Sequence, residues 1–205
     1  MIQKSNRFLS LDVFRGLTIC LMIVVNSPGT GADLYPYLVH AEWFGFTLAD
    51  LVFPTFLFVM GNAMNFSMDK LKEAGRKAYW IKVIKRTFLI FLLGYLMYWY
   101  PFFREGVDGT LELKPFAETR IMGVLQRIAI CYFISALIIY YLKQRGIIII
   151  AAIILLAYCA ILYLFGDSGG ELEMATNTGT RLDFYILGEG HIYKGDKIPF
   201  DPEGI

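Results

Sequence analysis

Apolar residues gather into five long blocks along this chain, and most of the charged residues fall in the connections between them. The blocks lie at about Leu11–Asn26, Thr47–Met68, Val83–Phe103, Ile121–Leu142 and Ile147–Phe165. Each approaches the ~20 residues that carry a helix across a ~30 Å hydrocarbon core. The pattern predicts an all-α protein, a polytopic transmembrane helical bundle of about five spans over residues 1–166, with 167–205 as an extracytoplasmic loop or tail. The last block holds nothing more polar than Tyr158, Tyr163 and Cys159, which suits a wall helix facing lipid. Lys4 and Arg7 precede the first block as they would in a signal peptide. Asp12 and Arg15 interrupt that block, however, and no A-x-A site follows, so it reads as a retained span.

Composition supports a bilayer as the surrounding medium. With 57% hydrophobic residues in 205 and a mean hydropathy of +0.53, the chain has more apolar surface than a soluble domain of this size buries. The net charge of +1 hides a sorting of signs. The second connection carries Lys70, Lys72, Arg76, Lys77, Lys82, Lys85 and Arg86 against Asp69 and Glu73, whereas the first has no Lys or Arg and holds Asp33 and Glu42. By the positive-inside rule the amino terminus and the second connection are cytoplasmic. The basic fourth turn, Lys143 to Arg145, and the acidic tail keep the same alternation. No basic stripe stands apart from the spans, so nucleic acid is not an expected partner. Cys20, Cys131 and Cys159 lie inside apolar blocks and read as small core residues.

Charges inside the blocks mark the candidate chemistry. At 100° per residue, Asp12, Arg15 and Asn26 fall within a strip about 60° wide, with Asn26 about 21 Å beyond Asp12. That strip reads either as an ion pair plus a helix-terminal Asn or as one wall of a polar cavity. A charge at depth costs on the order of 3 kcal/mol, which favours the cavity for a shared strip. Asp50 lies near the outer end of the second block. Arg120 and Arg127, seven residues apart, share a face of the fourth, with Arg127 about 10 Å below its outer end. Depth matching predicts that Asp50 pairs with Arg127 or Arg120, as a structural ion pair or as part of a substrate route. His40 sits in the outer connection Tyr35-Pro36-Tyr37-Leu38-Val39-His40-Ala41-Glu42-Trp43-Phe44-Gly45, whose aromatics would form an apolar pocket around it. A free imidazole is a competent base or nucleophile at neutral pH, although a lone loop His is also an ordinary surface residue. His191, in the Gly-rich tail, reads as solvated. Gly29 and Gly31 mark a turn, because no G-K-[ST] follows them. No H-x-x-x-H or C-x-x-C spacing offers a metal site.

Taken together, Ser10-Leu11-Asp12-Val13-Phe14-Arg15-Gly16, Val25-Asn26, His40-Ala41-Glu42-Trp43-x-Gly45-x-Thr47-x-Ala49-Asp50-Leu51-Val52-Phe53-Pro54 and Arg120-Ile121-Met122-Gly123-Val124-Leu125-Gln126-Arg127-Ile128 resemble the heparan-α-glucosaminide N-acetyltransferase family and its bacterial relatives. The resemblance covers residues 7 to about 130. It implies an enzyme that moves an acetyl group from cytoplasmic acetyl-CoA, as co-substrate, to an amino sugar on the extracytoplasmic side. It also implies that His40 matches the catalytic histidine and Asn26 a functional asparagine, with Asp12, Arg15, Asp50, Arg120 and Arg127 along the donor and acceptor path. Members of the family have roughly twice as many spans, so the chain is expected to be an amino-terminal half. The expected setting is a bacterial inner membrane, and a homo-oligomer is left open. The alternative is a transporter or export subunit without acyl transfer.

Overall fold

The computed structural model describes residues 9–27, 35–105, 109–167, 169–193 and 199–201. The chain forms two compact units, Met1–Gly75 and Arg76–Ile205. In the first unit, helix α1 (Leu9–Asn26) packs on helix α2 (Leu48–Glu73), and a single 3-10 turn, Pro36–Leu38, lies against α2. The start of α2 is set by a capping box, with Thr47 as N-cap and Asp50 three residues on. Lys70 and Lys72 in its last turn complement the helix dipole. Ala49, Val52, Val59, Met64 and Met68 form its buried stripe, whereas α1 buries only Thr18, whose hydroxyl donates to Phe14 O. The Gly29–Gly31 turn and Asp33 lie outside the described residues.

The second unit holds α3 (Arg76–Trp99), a two-stranded antiparallel ribbon of β1 (Phe103–Glu105) and β2 (Leu111–Leu113), a 3-10 turn at Phe116–Glu118, then α4 (Val124–Tyr141), α5 (Gln144–Phe165) and α6 (Thr178–Leu187). Helices α3 and α4 run antiparallel. The Tyr79 hydroxyl donates to Ala136 O at 2.7 Å near one end, and Gly94 lies under the Gln126 side chain further along. Glycine and alanine at these positions let two backbones come close, as helix pairs in lipid require. The core between them is Tyr79, Val83, Ile128, Ala129, Tyr132 and Ala136.

Among the described residues four helices, α1, α2, α4 and α5, are long and apolar enough to cross a membrane. No residue of α5 is buried by protein, the condition expected of a helix that faces lipid. The remaining block forms within α3, which has 24 residues and so the length for a span. Its charge-free part, residues 87–99, covers only about 20 Å at ~1.5 Å per residue, because Lys82, Lys85 and Arg86 occupy its first half. The tail also holds an element that hydropathy did not indicate. Helix α6 is short and polar, and it begins at Asn177, whose Oδ1 accepts from Thr180 N at 2.8 Å. Two cysteines need correction: Cys20 and Cys159 are exposed, not core, since they sit on helix faces with no protein against them.

Candidate active site

His40 and Asp50 come together at the mouth of α2. The His40 Nδ1 donates to Asp50 Oδ1 at 2.7 Å, because an ionised carboxylate has only acceptors to offer. In the neutral imidazole Nδ1 therefore carries the proton and Nε2 keeps its lone pair, directed away from the carboxylate. The other oxygen, Asp50 Oδ2, accepts from Thr47 N at 2.9 Å, from the Thr47 hydroxyl at 3.0 Å and from Ala41 N at 3.4 Å. These donors hold the carboxylate in one orientation. Pro54, four residues on, lacks the N–H that would otherwise bond the Asp50 carbonyl.

Two functions meet in Asp50. One oxygen closes the capping box that starts the helix, and the other fixes the tautomer and direction of the imidazole. An imidazole oriented by a carboxylate, with Nε2 open, is the arrangement of a general base or nucleophile. Thr47-x-x-Asp50 was the signal in the sequence: a capping box places its acid at a helix mouth, facing the preceding loop.

Asp50 lies in the first unit and Arg120 and Arg127 in the second, and each has partners within its own unit. Both arginines are met by Asp201, from the tail: Arg120 Nη2 lies 2.7 Å from Oδ1 and Arg127 Nη2 lies 2.8 Å from Oδ2. The Asp201 side chain is fully buried and the two arginine side chains nearly so. Arg120 also lies between the rings of Tyr98 and Tyr193, 5.4 Å from each centroid. It precedes α4, which begins at Val124, so the two arginines converge through a shared carboxylate and not along one helical face.

The surroundings of His40 also depart from expectation. Its side chain is 67% exposed, and Tyr35, Tyr37, Phe44 and Phe46 point outward. Among the described residues the aromatics thus form an open apolar rim. Gly45, at φ +133°, makes a backbone turn that a β-carbon would strain. Asn26 is the last residue of α1, and its Nδ2 donates to Met22 O of the same helix at 2.9 Å. Asp12 and Arg15 pair at 3.7 Å, both half-exposed. His191 is a further correction: it is partly buried, and its Nδ1 donates to Thr119 O at 2.7 Å. It borders an apolar cavity of about 500 Å³ that also involves Phe88, Tyr95, Phe116 and Ile121.

Residues 7–169 match the family model described as heparan-alpha-glucosaminide N-acetyltransferase, catalytic. The chain belongs to that family. Similar proteins include the heparan-alpha-glucosaminide N-acetyltransferase of Mus musculus, 35% identical over 99% of this chain and 36% of the relative. The protein of the same name from Homo sapiens is 36% identical over 64% of this chain and 19% of the relative. The chain thus spans about a third of the length of the mouse relative. Every residue of the His40–Asp50 pair, the Asp12–Arg15 pair and the two arginines lies within the stretch matched to the N-acetyltransferase family, as does Asn26. Asp201 lies beyond that stretch.

Proposed function

We propose that this chain carries the reacting histidine of a membrane acetyltransferase that takes an acetyl group from cytoplasmic acetyl-CoA and delivers it to an amino sugar on the extracytoplasmic side. The observation that carries the reading is the 2.7 Å bond from His40 Nδ1 to Asp50, within a member of an N-acetyltransferase family. In the reaction, the acceptor's neutral amine attacks the thioester carbonyl and a C–N bond forms. His40 Nε2 takes the amine proton, the C–S bond breaks, and the proton passes to the departing thiolate. Asp50 stabilises the imidazolium that exists between those two transfers. In the alternative route Nε2 attacks the thioester carbonyl and the C–S bond breaks with CoA leaving as the thiolate; the amine then attacks the acetyl-imidazole, its C–N bond forms as the bond to Nε2 breaks, and the amine proton passes to the freed imidazole.

Asn26 is assigned to help hold the reacting groups, with its carboxamide as a donor to the oxygen where negative charge develops. Asp12, Arg15, Arg120 and Arg127 are assigned to the donor and acceptor path, and the exposed aromatic rim around His40 supplies faces on which a sugar ring can rest. The distribution of Lys and Arg supports a cytoplasmic amino terminus.

The test uses sealed membranes containing the protein, with labelled acetyl-CoA on the cytoplasmic side and an amino sugar on the other. Label is expected in the sugar, and H40A is expected to abolish it at unchanged protein abundance. Passage of unmodified sugar, with acetylation indifferent to H40A, would replace this reading with a transporter.

A further inference from the structure

We propose that the exposed face of α3 binds the headgroups of anionic phospholipids, with its lysines on phosphate and its apolar residues on acyl chains. The face is continuous in the helical wheel. Lys77, Lys82 and Lys85 are exposed in the first three turns, and the large exposed side chains Ile81, Ile84, Phe88, Leu89 and Leu93 share their arc or extend it. The opposite arc, with Tyr79, Val83 and Gly94, is the one packed on α4. Lysines and isoleucines interleave over the first three turns and the face is wholly apolar from Phe88 onward, which matches the order in which headgroups precede chains.

Charge complementarity identifies the occupant. Neither α3, α4 nor α5 contains a single Asp or Glu. The ring contact between Trp80 and Tyr141 brings the α4–α5 turn to the same end of the unit, so Lys143 and Arg145 add to the positive field. Arg86 rests over the Tyr132 ring at 4.9 Å and is itself exposed at the edge of the arc, where it adds to the positive charge of the three lysines. Trp80, Tyr140 and Tyr141 pack there as an aromatic belt of the kind found at headgroup depth.

Length supplies the second argument. The charge-free part of α3 is about 20 Å against a hydrocarbon core of ~30 Å, so Lys82 and Lys85 fall inside the hydrocarbon boundary if the helix crosses it. Helical side chains lean toward the amino terminus, so these lysines extend back toward that boundary and draw phosphate groups to it. A soluble phosphate ligand would need the cations but would leave the interleaved isoleucine and phenylalanine side chains without a role.

The test titrates the detergent-solubilised chain, with Trp43 and Trp99 replaced by Phe, with brominated phosphatidylglycerol or brominated phosphatidylcholine and follows quenching of the fluorescence of Trp80, which borders the face. A lysine near an anionic surface contributes about fivefold in affinity. Wild type should therefore quench at a much lower fraction of phosphatidylglycerol than of phosphatidylcholine. K77Q/K85Q should lose about 25-fold of that preference, while K77R/K85R should keep it. Equal quenching by the two lipids overturns the proposal. So does a preference that survives in the glutamine variant, or one lost equally in the arginine variant. Displacement of phosphatidylglycerol by adenosine 3′,5′-bisphosphate would assign the face to a soluble phosphate ligand instead and overturn it as well.

Discussion

Replacing Asp50 by Asn changes one atom's chemistry and leaves the shape, so it isolates what the carboxylate does for His40. An asparagine has one acceptor, and position 50 has two demands on it. If the carbonyl oxygen takes the place of Oδ2, it keeps the bonds from Thr47 N and Ala41 N, and the amide nitrogen then faces His40 Nδ1 as a donor. If it takes the place of Oδ1, it keeps the imidazole bond but turns its amide hydrogens toward those two backbone N–H groups. The Thr47 hydroxyl can rotate to suit either orientation and does not decide between them. The choice is therefore two backbone donors against one imidazole contact that can be made either way, a difference of about 2 kcal/mol at ~1 kcal/mol per bond. D50N should thus invert the tautomer of His40, moving the proton to Nε2 in all but about one molecule in thirty.

The fold should survive, because the capping contacts are kept. Acetyl transfer should fall at least thirtyfold from the tautomer alone, and up to the 10²- to 10⁴-fold typical of a lost general base. Nitrogen NMR of histidine-labelled protein reads the tautomer directly. The chain has two histidines, and His191, held by Thr119 O, provides an unchanged reference. If His40 keeps its proton on Nδ1 in D50N, or if transfer is unaffected while the tautomer inverts, the orienting role given to Asp50 is wrong.

Four further outcomes follow from the geometry. D201N removes the charge that two buried arginines share, which should destabilise the second unit by about 3–5 kcal/mol; a shift in thermal unfolding equivalent to less than ~1 kcal/mol would contradict this. Both amide atoms of Gln126 are buried without a hydrogen-bond partner among the described residues, so Q126L should leave stability unchanged or raise it by about 1–2 kcal/mol. By contrast G94A, whose new β-carbon would come 2.6 Å from Gln126 Oε1 and 2.7 Å from Leu125 Cβ, should cost about 1–3 kcal/mol, read by the same unfolding assay. D12N should change stability by less than ~1 kcal/mol, since the pair with Arg15 is half-exposed and 3.7 Å long; a tenfold loss of transfer at unchanged stability would place Asp12 on the donor path, and no loss would leave it a helix-surface ion pair.

The helices were legible because lipid imposes one demand, a long apolar run, and five such runs stand out in the sequence. Their polar partners were less legible, and the reason is instructive. Matching Asp50 to Arg127 by depth assumes that a charge pairs across helices at its own level in the bilayer. Asp50 sits at the first turn of its helix, where donors come from within ten residues of it: His40, Ala41 and Thr47. Local capping chemistry needs no long-range closure, and it satisfied the carboxylate before a distant arginine was required. The arginines were left to Asp201, some eighty residues away in a polar tail where hydropathy is silent. No periodicity marks a single Asp in such a tail as a buried counter-ion. The helix-mouth motif could have been read from Thr47-x-x-Asp50, and with it the orientation of His40. The clamp on Arg120 and Arg127 follows only from how the tail returns to α4, so the two halves of the candidate machinery differ in what kind of information specifies them.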